Sequence, residues 1–357
     1  MRKVVEDHPQ LFPEVTGKFP STRYQGSKTK LSDWIWEQIV ELDFETCLDA
    51  FGGTGVVGYR LKQEGKAVVY NDLLRFNYIN SRGLVENREV KLSAEEIDWL
   101  LSEHKDVRYP SLVQENFRNI YFTDIENAWI DRTTANINQL ANPYKYSLAF
   151  FALSQGCIVK RPYNLFHRKN LYMREAEVDR TFGNKISWDR PFEEWFRVFV
   201  AEANGAVFDN GRENKSINMD ALDIAGEYDL VYIDTPYISR RGVGVDYRDF
   251  YHFLEGLTRY DDWIDDIDFN SKHRRLRPRY NQWNDKNNVT KAFDRLFEKF
   301  QDSILVISYR SDGIPSEQEL VSLLKKYKSE VYFEYYGQYK YVLSNNLKSK
   351  EMLLIGR

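Results

Sequence analysis

Cysteine is scarce in this chain of 357 residues: Cys47 and Cys157 are the only two. They make no C-x-x-C pair, so neither a zinc-binding framework nor a disulfide scaffold is expected. The five histidines (His8, His104, His167, His252 and His273) are scattered without metal-ligand spacing, and no metal site is expected. No run approaches the roughly 18 apolar residues of a membrane span. The opening residues, Met1 to Pro9, are charged and lack the apolar core of a secretory signal, which makes the cytoplasm the expected location. An excess of one charge sign is missing too: 50 lysines and arginines face 54 acids, a formal net charge of -4. That balance argues against a protein that simply coats a polyanion, but leaves DNA binding through clustered charge open. No repeat or low-complexity tract interrupts the chain.

What the chain does have is apolar and aromatic residues, 42% and 15% of it. Its length suits one large domain or two of ordinary size. The most informative stretch runs from Tyr228 to Tyr237, YDLVYIDTPY. Leu230 to Ile233 reads as a strand buried on both faces. Pro236 stops the ladder and pushes Thr235 towards an extended conformation. The strand tip therefore presents the Asp234 carboxylate, a backbone carbonyl and the Tyr237 ring at the carboxyl edge of a sheet, where open α/β folds bind ligands.

Upstream, Arg23 to Lys28 (RYQGSK) is a basic turn ahead of a helix expected from Leu31 to Leu42. A turn of this kind can hold an anion on its backbone N–H groups. Thr46 to Phe51 reads as a short strand, and Gly52 to Gly58 turns the chain into a helix reaching about Glu64. Val68 to Tyr70 is the next strand, closed by Asn71 and Asp72. In such a βαβ opening, glycines let the backbone pass close to a ligand, and the acid after the second strand can bind ribose hydroxyls. Gly53, Gly55 and Gly58 also satisfy G-x-G-x-x-G, so a nicotinamide-dependent oxidoreductase is a competing reading.

Residues 84–215 read as mostly helical. Ser93 and Glu96 make a capping box, and Tyr146 to Val159 is a buried helix. Lys160 to Arg174 is basic, interleaved with aromatics and free of acids, a pattern suited to phosphate and base contacts. Ser271 to Arg279 is a second basic segment. Lys160, Arg161, Arg168, Lys169, Arg274, Arg275 and Arg277 are the candidate DNA-binding residues. Sheet character returns over Ile217 to Leu222, and residues 238–288 read as irregular. A helix over Val289 to Phe300, a strand over Ser303 to Tyr309 and a capping box of Ser316 with Glu319 follow. The end reads as a hairpin of Ser329 to Tyr336 and Tyr339 to Val342, then a last strand over Lys350 to Ile355.

In this order the pieces resemble the N6-adenine-specific DNA methyltransferases of the group that includes DNA adenine methylase. Arg23 to Lys28 is similar to that family's N-terminal donor motif, and Asp49 to Gly55 (DAFGGTG) to its F-x-G-x-G motif. Asp234-Thr235-Pro236-Tyr237 resembles the D-P-P-Y signature, with Thr235 in place of the first proline. The resemblance implies a doubly wound α/β fold with a mostly parallel seven-stranded sheet. The methyltransferase domain would comprise 1–83 and 216–357. Residues 84–215 would be a helical target-recognition insertion, with further DNA-contacting loops at 238–288.

It also implies S-adenosyl-L-methionine as donor, bound by Tyr24, Lys28, Asp49, Phe51, Gly53, Gly55, Asp72 and Asp220. Lys28 would pair with the donor's carboxylate and Asp72 would hold its ribose. Asp234, Thr235, Pro236 and Tyr237 would carry catalysis. The Asp234 carboxylate and the Thr235 carbonyl would accept the N–H bonds of the adenine amine and free its lone pair for in-line attack. Tyr237 would offer a stacking face to a base flipped out of the duplex. Double-stranded DNA is the implied partner; the recognised site and a cognate restriction enzyme stay open. Methylation of RNA adenine is the alternative with the same chemistry.

Overall fold

Short apolar runs with no polar alternation suit strands covered on both faces, and the chain uses them so. The computed structural model describes residues 17–176, 185–337 and 350–357. Its strands are β1 (Thr46–Asp49), β2 (Ala67–Asn71), β3 (Lys215–Ile217), β4 (Leu230–Ile233), β5 (Ile304–Arg310), β6 (Val331–Tyr336) and β7 (Glu351–Gly356). They form one seven-stranded sheet in the order β3-β2-β1-β4-β5-β7-β6. β2 pairs with β1 and β3, and β4 with β1 and β5, all in parallel. β7 lies antiparallel between β5 and β6. The fold is therefore the mixed α/β sheet, mostly parallel, that the sequence implies.

Strand order reverses between β1 and β4, since β2 and β3 lie to one side and β5 to the other. The carboxyl ends of neighbouring strands at such a switch point leave a crevice. β1 ends there in Asp49 and β4 runs out into Asp234. Every residue of β4 is buried, so the strand fixes the depth at which its tip emerges.

The described residues of segment 84–215 are largely helical and share their core with the sheet. Helix Pro143–Val159 is buried from Ser147 to Val159, and its N-terminus is capped by the Asn142 side chain. Leu148, Phe150 and Phe151 belong to the same apolar cluster as Val68 and Tyr70 of β2. Helix Asp124–Ile137 opens with a capping box of Thr123 and Glu126 that the sequence reading missed. The Ser93–Glu96 and Ser316–Glu319 boxes form as expected.

Several boundaries differ from expectation. The first helix spans Ser32–Ile39, stopping short of Leu42, and β1 ends at Asp49, two residues before Phe51. Sheet character ends at Ile217, because Asp220 caps a 3-10 turn over Ala221–Asp223. Residues 238–288 are not uniformly irregular: Tyr247–Phe250, His252–Leu257 and Trp263–Asp266 are short helices with apolar anchors such as Leu254 and Trp263. The terminal hairpin pairs β6 with β7; the expected arm over Tyr339 to Val342 lies outside the described residues. No described helix is long and apolar enough to cross a membrane.

Candidate active site

A cavity of about 1030 Å³ opens above the carboxyl ends of β1, β2 and β4. Typical small-molecule sites occupy roughly 300–1,000 Å³, so this one has room for more than a single small ligand. It brings together Tyr24, Lys28, Asp49, Phe51, Gly53, Asp72, Asp220 and all of Asp234 to Tyr237. Gly55 does not line it. It adopts a left-handed φ of 81° and caps helix Val56–Gln63, so it shapes the turn from beneath. Gly52, which the sequence reading did not single out, is sterically required: a Cβ there would sit 2.0 Å from the Tyr70 ring.

At the glycine-turn end, Asp72 is held by three donors. Its Oδ2 accepts from the Gly53 N–H at 2.9 Å and from the Asn77 amide at 3.2 Å, and its Oδ1 accepts from the Leu74 N–H at 2.7 Å. Burial nevertheless pushes its pKa up to about 7, the three donors offsetting only part of the desolvation. Asp49 is 1% exposed and accepts from the Gly58 N–H at 3.1 Å through Oδ2. Its Oδ1 has no partner among the described residues. Burial, and then the charge of Asp234, raise its pKa to about 8. Asp220 uses Oδ1 to cap Leu222 and accepts from Gln282 through Oδ2 at 3.3 Å. Phe51 meets Trp283 edge to face at 4.8 Å. Tyr24 stacks on Tyr251 at 4.5 Å and on Tyr247 at 5.6 Å, both nearly parallel.

At the β4 tip, Lys28 donates to both oxygens of Asp234, at 2.8 and 2.7 Å, and to the Tyr237 hydroxyl at 2.9 Å. Tyr237 lies 3.0 Å from Asp234 Oδ1 and 2.6 Å from Glu351 Oε1. Burial works against the Lys28 ammonium, but Asp234 and Glu351 outweigh it and hold its pKa above the usual lysine range. Burial raises the Asp234 pKa to about 6; Lys28 opposes this and Glu351 adds to it. Thr235 is 2% exposed, and its hydroxyl has no partner among the described residues. Tyr237 packs edge-on against Tyr309 at 5.0 Å.

The basic residues divide differently from the sequence reading. Lys160 and Arg161 are 2% and 1% exposed, which removes them from any phosphate-contacting surface. Lys160 bonds the carbonyls of Trp188 and Arg190, each at 2.6 Å, and the Glu126 carboxylate at 2.9 Å. Arg161 donates to the carbonyls of Tyr121, Leu165 and Arg168 and lies over the Tyr121 ring. Both tie the loop to the helical segment. Arg168, Lys169 and Arg277 are exposed; Arg274 and Arg275 are partly buried. Arg275 pairs with Asp268 at 3.3 Å. Lys169 and Arg274 share a shallow depression with Arg118 and Lys272, so the two basic segments do meet.

Two features of the site lie outside the motifs legible in the sequence. Arg240 and Arg241, both exposed, stand on the cavity rim in a turn closed by the Ile238–Gly244 bridge, beside Val243 at 67% exposure. Glu351 is 1% exposed at the inner wall. An acid opening an otherwise apolar strand, Glu351 before Met352 to Ile355, is the signal that could have found it.

The glycine turn, the acid after β2 and the D-T-P-Y tip meet in one crevice, the arrangement that the resemblance to the amino-methyltransferase class implies. Residues 24–312 match the family described as D12 class N6 adenine-specific DNA methyltransferase, and the chain belongs to that family. It is 29% identical over 317 residues to Type II methyltransferase M2.HphI of Haemophilus parahaemolyticus, covering 87% of this chain and 88% of that protein. It is 26% identical over 380 residues to Type II methyltransferase M.FokI of Planomicrobium okeanokoites, covering 94% of this chain but 55% of that protein. It is 24% identical over 326 residues to Type II methyltransferase M.NlaIII of Neisseria lactamica, covering 85% of this chain and 88% of that protein. The chain is a DNA adenine N6-methyltransferase and requires a methyl donor. This family membership replaces the oxidoreductase and RNA readings.

Proposed function

We propose that the cavity binds S-adenosylmethionine at its glycine-turn end and an adenine rotated out of duplex DNA at its Asp234 end. The observation that carries this reading is the single cavity reaching from Gly53 and Asp72 to Asp234 and Tyr237. The residues present fit such a donor. A carboxylate offers about four lone-pair sites, and three N–H donors occupy Asp72, which leaves capacity for ribose hydroxyls. A buried acceptor without a donor costs about 1–3 kcal/mol, and a bound ammonium or hydroxyl would offset that cost at Asp49. Phe51 and Trp283 supply apolar walls beside Asp220.

When bound, S-adenosylmethionine supplies an electrophilic sulfonium methyl group. Asp234 accepts one N–H of the adenine amine and the Thr235 carbonyl accepts the other. These bonds draw the nitrogen lone pair out of conjugation with the ring and aim it, so orientation and electrostatics carry the rate. Asp234 then takes the proton that the methylated nitrogen must lose. Tyr237 walls the base site, and Pro236 fixes the turn that sets both acceptors.

Arg240 and Arg241 on the rim, with Arg168, Lys169, Arg274 and Arg277 farther out, are the proposed phosphate contacts. In this reading 1–83 and 216–357 make the catalytic domain and 84–215 carries target recognition. The type II names of the relatives support pairing with a cognate restriction enzyme. The test is incubation of the purified chain with methyl-labelled S-adenosylmethionine and duplex DNA, followed by mapping of modified bases. Label confined to N6 of adenine in one short sequence is expected; label spread over random sites or on cytosine would reject the reading.

A further inference from the structure

A buried carboxylate outside every family-like motif stands behind the strand tip. Glu351 opens β7, opposite Arg310 of β5 in the antiparallel register. It is 1% exposed. Its Oε1 accepts from the Tyr237 hydroxyl and from the Ser308 hydroxyl, both at 2.6 Å, and lies 3.5 Å from the Lys28 ammonium. Burying a carboxylate this fully is costly unless it is paired, and Lys28 is the cation between it and Asp234.

Asp234 faces a conflict that Glu351 resolves. The adenine amine must donate to Asp234, yet Lys28 already donates to both of its oxygens and lies close to the Tyr237 hydroxyl. A cation gripping Asp234 weakens it as an acceptor and crowds the approach. The Tyr237 hydroxyl has a single hydrogen, so it serves either Glu351 or Asp234 at a given moment. A second carboxylate within 3.5 Å gives the ammonium somewhere to go without losing its counter-charge.

We propose that Glu351 is a positioning residue for methyl transfer: it receives the Lys28 ammonium when the target amine takes up Asp234. The proposal rests on the reading of Asp234 as the amine acceptor. The charged and titratable groups around Glu351 include Lys28, Asp234, Tyr237 and Tyr232, with Tyr336 opposite it on β6 and Arg310 opposite it on β5, the latter paired to Asp312 at 2.7 Å. Of these groups, Lys28 is the cation flanked by both carboxylates. The negative charge of Glu351 also supports protonation of Asp234, so its removal has a direction that can be read.

The experiment is single-turnover methyl transfer to duplex DNA at saturating S-adenosylmethionine, measured from pH 5 to 9, with donor affinity by calorimetry. Glu351→Gln is expected to keep donor affinity within about twofold and to slow transfer at least about tenfold, a barrier change of roughly 1.4 kcal/mol. Its acidic limb should move to lower pH, because Asp234 then feels Lys28 without the second carboxylate. In a Lys28→Met background the same Glu351→Gln change should cost less than about twofold, because the cation it serves is gone. If Glu351→Gln alone does not fold, the double variant, which removes the cation with its partner, still compares with Lys28→Met. A wild-type rate and pH profile in Glu351→Gln, or a full further loss in the Lys28→Met background, overturns the proposal. Normal turnover in Asp234→Ala would instead overturn the catalytic reading on which it rests.

Discussion

The Lys28 ammonium lies 2.8 and 2.7 Å from the two oxygens of Asp234, although 206 residues separate them in the chain. The pair joins the N-terminal turn to the tip of β4. It also makes Asp234 a carboxylate whose protonation depends on its neighbours.

Transfer should therefore fail on the acid side. Burial, chiefly, raises Asp234 to about 6, and only the ionised form accepts from the amine without competition from its own proton. The single-turnover rate should fall as pH drops through about 6. Asp234→Ala should lower it at least about a hundredfold above pH 7, where Asp234 is ionised, and should lose the acid limb, while leaving donor affinity near normal. A flat profile between pH 5 and 8 would count against an ionised acceptor.

Asp49→Asn should separate stability from donor binding. The folded-state pKa of Asp49 is raised to about 8, against about 3.9 for an unfolded aspartate. Between about pH 4 and 8 the folded chain holds a proton that the unfolded chain releases, so stability falls as pH rises through that window. Asparagine has no such proton to lose. The variant's Tm should exceed that of the parent by several degrees at pH 8.5, with the gain vanishing near pH 4. Its donor affinity should fall about tenfold or more, as calorimetry would register. Identical melting curves at both pH values would show that Asp49 carries no ionisation cost.

Arg240 and Arg241 should behave unlike Arg161. Neutralising either rim arginine is expected to weaken DNA binding and to reduce its salt slope by about one per lost phosphate contact. Arg161→Gln should leave the slope unchanged and lower Tm, because its guanidinium serves three carbonyls in the interior. Salt titrations of binding on the three variants decide the matter; a slope change for Arg161→Gln would contradict its structural role.

Thr235→Val should stabilise the fold slightly and keep transfer within about tenfold, a barrier change of roughly 1.4 kcal/mol or less. The hydroxyl is buried with no partner among the described residues, so its loss breaks no bond there. The backbone carbonyl proposed to accept from the amine is untouched. A loss of several orders of magnitude in a folded variant would give the hydroxyl a chemical role.

The local features were legible because they depend on neighbours in the chain. A Pro after an apolar run ends a strand wherever it falls, which placed Asp234 at the tip of β4. The Ser93–Glu96 and Ser316–Glu319 boxes close over three residues and need no tertiary partner. The glycine turn and Asp72 follow from one βαβ unit.

What only the tertiary structure decided is which charges face water and which face each other. Lys160 and Arg168 look alike in sequence, but the Glu126 carboxylate and the carbonyls of Trp188 and Arg190 come from other elements and draw Lys160, not Arg168, inside. Lys28 carried a donor-binding expectation from its motif, yet its ammonium is held by Asp234 and, more distantly, by Glu351, which β7 delivers from the far end of the chain. A charged side chain has the same local pattern whether solvated or buried. Its partner is set by which strands the sheet places side by side, and β7 reaches the site because it inserts antiparallel beside β5.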